Sequence, residues 1–158
     1  MKIRDIQQAY IDDYSGWQFD YFVTLHAGRA LSERSFRLLM EAFMRRLNNK
    51  VYGKRSIKKL NCFAVAERSA DGLVHGHFLL GGPLGRMAPL QFEIAVGLTW
   101  AEQRFGVHPR LVKSGMKEWF KPVWDANRAL QYVTKTFPWS EEAIVLDVCN
   151  KSWPKAKI

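Results

Sequence analysis

The chain is poor in the residues that most often mark special chemistry, with four histidines and two cysteines in 158 residues. Cys62 and Cys149 lie far apart without metal-ligand spacing, and two thiols are too few for a disulfide scaffold. No apolar run reaches the length of a membrane span, and the opening MKIRDIQQAYIDDYSG lacks the apolar core of a secretion signal. Internal repeats, low-complexity tracts and a GxxxxGK[ST] phosphate loop are all missing. These absences lead to an expectation of one soluble, reduced, intracellular domain over residues 1–158, with no membrane partner.

Acidic residues are missing from one region as well. None occurs between Glu41 and Glu67, where RRLNNKVYGKRSIKK carries Arg45, Arg46, Lys50, Lys54, Arg55, Lys58 and Lys59. These seven supply much of the net charge of +9. Such a patch suggests a polyanionic partner, nucleic acid ahead of a merely solvated lysine-rich loop.

What is present is a mixed α and β pattern. Residues 1–18 carry no clear period. DYFVTLHAG (20–28) reads as a strand ending at Gly28. Ser32 can cap a helix running to about Asn48, since Phe36, Met40, Phe43 and Leu47 recur at helical spacing. KKLNCFAVAER (58–68) and LVHGHFLL (73–80) read as two strands around a tight turn. Leu90, Ile94, Leu98, Ala101 and Phe105 mark a second helix, closed by Gly106. The Pro- and Gly-containing stretch that follows suits one or two short edge strands. Asp125 caps a third helix, ANRALQYVTKTF, and AIVLDVC (143–149) reads as a last strand. The order predicts an α+β fold, a central antiparallel sheet of about five strands flanked by helices.

Two of the four histidines, His75 and His77, sit one residue apart inside an apolar strand, so both project from the same face. A shared cation would satisfy two imidazoles in such a setting; core histidines bonded to carbonyls are the alternative. The turn gives a second expectation. A three-residue loop of Ala70, Asp71 and Gly72 places Gly72 at its left-handed position and pairs Glu67 with His75 and Val65 with His77. A carboxylate then joins the two imidazoles, whereas a four-residue loop would turn Glu67 to the other face. Three protein ligands with open positions are the usual form of a catalytic metal site.

The third helix offers Tyr132 and Lys135 at i and i+3, beside a packing stripe of Ala126, Leu130, Val133 and Phe137. A phenol is a weak nucleophile near neutral pH. A divalent cation polarising a phosphate makes attack by it feasible, and Lys135 can stabilise the charge that develops. Trp119 and Trp124, close before this helix in sequence, are candidates to stack on unpaired bases. Trp100 reads as core, His26 as a satisfied surface histidine ahead of one near the site at the end of the first strand, and His108 carries no functional expectation.

FVTLHAG (22–28), HGH (75–77) with Glu67 upstream, and YVTK (132–135) stand in an order that resembles the HUH endonucleases. The resemblance is to the single-tyrosine nuclease domains of rolling-circle replication initiators, and it spans residues 22–135. It implies an RRM-like or ferredoxin-like core and Mg²⁺ or Mn²⁺ held by Glu67, His75 and His77. It also implies nicking of single-stranded DNA at an origin hairpin or loop, with Tyr132 joined to the 5′ phosphate and Lys135 beside it. A host helicase and polymerase would be partners. The setting would be the cytoplasm of a plasmid or phage host, or the nucleus for a eukaryotic virus. A single-tyrosine HUH transposase, a non-catalytic RRM-like nucleic-acid module and a small metal hydrolase remain as alternatives.

Overall fold

The computed structural model describes residues 3–83, 85–112, 118–135 and 143–155. Among them lie four helices and one four-stranded antiparallel sheet. The helices are α1 (Ile3–Tyr14), α2 (Glu33–Tyr52), α3 (Pro89–Ala101) and α4 (Ala126–Val133). The strands are β1 (Tyr21–His26), β2 (Asn61–Arg68), β3 (Val74–Gly81) and β4 (Phe120–Pro122), in the spatial order β2-β3-β1-β4. The α+β class is as expected, with four strands in place of about five.

Alternation along the strands splits the apolar residues between two layers. Val23, Leu25, Cys62, Ala64, Phe78 and Leu80 meet α2 and α3 on one face. Phe63, Val65 and Leu79 meet Ile11 and Tyr14 of α1 and Leu130 and Val133 of α4 on the other. The first layer holds the larger aromatic cluster, in which Phe43 and Phe78 pack edge-on and both meet Trp100. Each such ring, fully buried, stabilises the fold by roughly 2–3 kcal/mol.

Local signals account for most boundaries. Ser32 caps α2 by accepting the Ser35 N–H at 3.1 Å, and Gly53, at φ +89°, closes it five residues past Asn48. Asp125 caps α4, its carboxylate accepting the Arg128 N–H at 3.2 Å. Phe137, expected on the same helix, lies outside the described residues.

One region left without an assignment is filled, and three expectations need correction. Residues 1–18 contain α1, whose Ile6, Tyr10, Ile11 and Tyr14 sit on or beside the second core layer. The helix marked by Leu90, Ile94 and Leu98 exists, but those three side chains are exposed; Phe92, Val96, Thr99 and Trp100 face the core. Apolar residues surround α3, so its period did not reveal which side packs. It also ends at Ala101 rather than near Phe105. Residues 143–149 are not a strand. Val65–Ile144 and Cys62–Asn150 bridges cover the outer edge of β2, and a 3-10 turn (Leu146–Val148) takes up the extra length between them. Three steps along β2 face six along the tail, so a continuous ladder cannot form.

Candidate metal centre

The β2–β3 hairpin sets the site. Gly72 adopts φ +81°, the left-handed conformation a glycine tolerates best. The Gly72 N–H donates to Ser69 O and the Ser69 N–H to Leu73 O, both at 2.9 Å. This closes the three-residue loop, and the register follows: Glu67 opposite His75, Val65 opposite His77. All three polar side chains therefore emerge on the face covered by α1 and α4.

They converge. His75 Nε2 and His77 Nε2 lie 3.1 Å apart, and Glu67 Oε2 is 3.8 Å from the first and 3.2 Å from the second. A point equally distant from these three atoms lies about 2 Å from each, the bond length of a bound divalent ion. The group could thus hold a metal ion. Arg68, next to Glu67 in sequence, turns away to Glu33 at 3.6 Å and to the Gly72 carbonyl.

A residue of β1 orients one of the ligands. Thr24 Oγ1 sits 2.9 Å from His77 Nδ1, which leaves Nε2 to face the centre. Burial, then the neighbouring His77 and His26, pushes the His75 pKa down to about 4, so its ring is neutral and able to ligate near pH 7. The hydrogen bond with His77 holds the Glu67 carboxyl below its ordinary range; burial opposes this, while His75 and Lys135 add to it.

Gly76, between the histidines, faces the opposite layer. A Cβ there would come within 2.9 Å of Phe78 and 3.3 Å of Met40 and Phe36. The aromatic core already fills that space, which is why the middle position of HGH holds no bulky side chain.

Tyr132 approaches from α4. Its ring centroid is 6.2 Å from that of His77, with Phe22 packed edge-on 5.6 Å away, and it remains 51% exposed. Lys135 Nζ lies 3.9 Å from the centroid of the tyrosine ring. The structure therefore brings Glu67, His75, His77, Tyr132 and Lys135 together.

The basic cluster is elsewhere. Arg45, Arg46 and Lys50 lie on the C-terminal half of α2, and Lys54, Arg55, Lys58 and Lys59 on the loop before β2. That loop enters β2 at Asn61, about 20 Å along the strand from Glu67. Lys50 is bound to Glu102 at 2.9 Å, and Glu41 and Asp147 share a cleft with Arg45, Lys58 and Lys59.

Two aromatic or imidazole expectations change. Trp119 is 4% exposed, packed beside His108 and α3, and offers no free face to a base. His26 is not an isolated surface residue: it pairs across β1–β3 with His75 and stacks on it at 5.1 Å. The even-numbered positions of β1 (Phe22, Thr24, His26) form the floor beside the histidines. Strand alternation held that signal, but it becomes readable only once β1 is known to neighbour β3.

Among the described residues no helix is long and apolar enough to cross a membrane. Set against known proteins, the chain matches no family model, no curated protein and no solved structure.

Proposed function

We propose that this chain is a metal-dependent endonuclease and strand transferase acting on single-stranded DNA, with Tyr132 as nucleophile. The observation that carries the proposal is the half-exposed Tyr132 ring beside a Glu67/His75/His77 group spaced for one ion. The β-α-β-β-α-β order from β1 to β4 supports it, being that of the ferredoxin-like unit implied by the HUH resemblance.

A divalent ion, Mn²⁺ or Mg²⁺, held by the three ligands supplies polarisation of a phosphate oxygen. The chain's residues do the rest. Thr24 fixes the His77 ring, Phe22 braces the tyrosine, and Lys135 adds positive charge where phosphoryl charge develops. In the transfer, the Tyr132 oxygen forms a bond to phosphorus as the P–O3′ bond breaks. The phenolic proton is released and the departing 3′ oxygen gains one, leaving a 5′-phosphotyrosine and a free 3′ hydroxyl. Attack of a 3′ hydroxyl on that linkage reverses the step and rejoins strands.

The third ligand comes from β2 rather than from the tyrosine helix, which favours a replication initiator over a transposase. The basic cluster from Arg45 to Lys59, at the far end of the sheet, then serves DNA flanking the nick, such as the stem of an origin hairpin. The test incubates the protein with pools of short DNA single strands and Mn²⁺ and looks for SDS-resistant protein–DNA adducts. Wild type should form them, EDTA should prevent them, and Tyr132→Phe should abolish them while still binding DNA. An adduct of undiminished yield in Tyr132→Phe would remove Tyr132 from the role.

A further inference from the structure

Beside the metal group, β4 and α4 flank an open groove of about 370 Å³ that the chemistry above does not use. Phe22, Val123 and Trp124 form its apolar wall, Tyr132 borders it, and Lys121 and Arg128 stand on its rim. Trp124 is 92% exposed. Single exposed apolar residues are ordinary. This one differs in its company, for Tyr132 is also half bare beside the same groove, and both border cationic side chains.

The backbone that carries the tryptophan is held on both sides. On one side the Val123 N–H donates to Asp20 O at 2.8 Å, and on the other the Asp125 carboxylate caps α4. The backbone is thus fixed on both flanks while the ring is left without cover. A bare indole on a fixed backbone offers a stacking face, and every nucleobase has a face to lay on it. The rim charges suit the phosphate of such a nucleotide: Arg128 is exposed, and Lys121 is shared with Glu118 at 3.0 Å. Asp125 also lines the groove, but its carboxylate is engaged by the helix N-terminus.

We propose that this groove is a subsite for one unpaired nucleobase of a DNA single strand, stacked on Trp124 with its phosphate against Arg128. Phe22 links the subsite to the centre, lying 5.6 Å from Tyr132 and 5.3 Å from His77. The bound base therefore belongs to a nucleotide next to the one that is cut. That last placement rests on the role proposed for Tyr132, whereas the binding does not.

The test measures affinity of the full chain in EDTA for a pool of short random DNA single strands, and for the same strands annealed into duplex. Trp124→Ala should weaken single-strand binding at least about fivefold, while Trp124→Phe, which keeps a stacking face, should lose less. Arg128→Gln should reduce the slope of log affinity against log salt by about 0.7, as expected when one phosphate contact is lost. Duplex binding should be unaffected by Trp124→Ala. Single-strand affinity unchanged in Trp124→Ala would overturn the proposal, as would equal losses on duplex, or a wild-type dimer that Trp124→Ala dissolves. Adduct formation is read separately. Trp124-dependent binding without any adduct would retain the subsite and remove the nuclease, and adducts formed by Trp124→Ala at wild-type DNA concentration would do the reverse.

Discussion

In the metal-free protein, His75 should make folding stability fall with acid. Its imidazole ordinarily takes a proton near pH 6.5, but burial and the adjoining His77 and His26 lower this to about 4 in the fold. Between those two values the unfolded chain binds a proton that the native state refuses, so stability drops as pH decreases. The loss begins below about pH 6.5 and is complete below about pH 4. At 1.36 kcal/mol per pH unit it amounts to roughly 3 kcal/mol, a large share of a small domain's stability. Urea denaturation in EDTA, at intervals from pH 7.5 to pH 4, measures it. Glu67 and other carboxylates contribute to the raw curve, so the informative quantity is the difference between wild type and His75→Asn. That difference should shift in the variant's favour by about 3 kcal/mol over the range. Parallel curves would refute the reading of His75 as a ring kept neutral by its surroundings.

Three further outcomes follow from the same geometry. Thr24→Val removes the partner of His77 Nδ1 and should weaken Mn²⁺ binding about 10- to 100-fold by calorimetric titration, with little change in fold. Inserting one residue between Ala70 and Asp71 should shift the β2–β3 register and carry Glu67 to the opposite face. Mn²⁺ affinity should then collapse, and retention of wild-type affinity would show that Glu67 is no ligand. Gly76→Ala places a methyl against Phe78, Met40 and Phe36 and should cost about 1–3 kcal/mol in chemical denaturation, without displacing the ligands on the other face.

The candidate centre was largely readable because its causes are local. Strand alternation put His75 and His77 on one face, and a single glycine in a short loop placed Glu67 beside them; the observed register depends on nothing more distant. Ser32 and Asp125 were readable as caps for the same reason, since each accepts a hydrogen bond from a backbone N–H three residues ahead. Long-range packing was not readable. The neighbourhood of His26 and Thr24 depends on β1 lying next to β3, a pairing across about fifty residues. Trp119 looked available to a base because it lies near the tyrosine helix in sequence, yet contact with α3 and His108 buries it. On α3 the helical period was present on both sides, so the core chose Phe92, Val96 and Trp100 by shape. The run AIVLDVC has strand composition, but the bridges at its two ends are too unequally spaced for a ladder. The basic cluster was legible as charge, while its distance from Glu67 depends on the direction in which α2 crosses the sheet.

The most direct measurement is anomalous diffraction from a crystal of Tyr132→Phe grown with Mn²⁺. One strong manganese peak is expected, within about 2–2.3 Å of Glu67 Oε2, His75 Nε2 and His77 Nε2. The phenyl ring of the substituted residue should lie beside it, on the side facing α4. A peak bound elsewhere, or none at saturating Mn²⁺, would contradict the account.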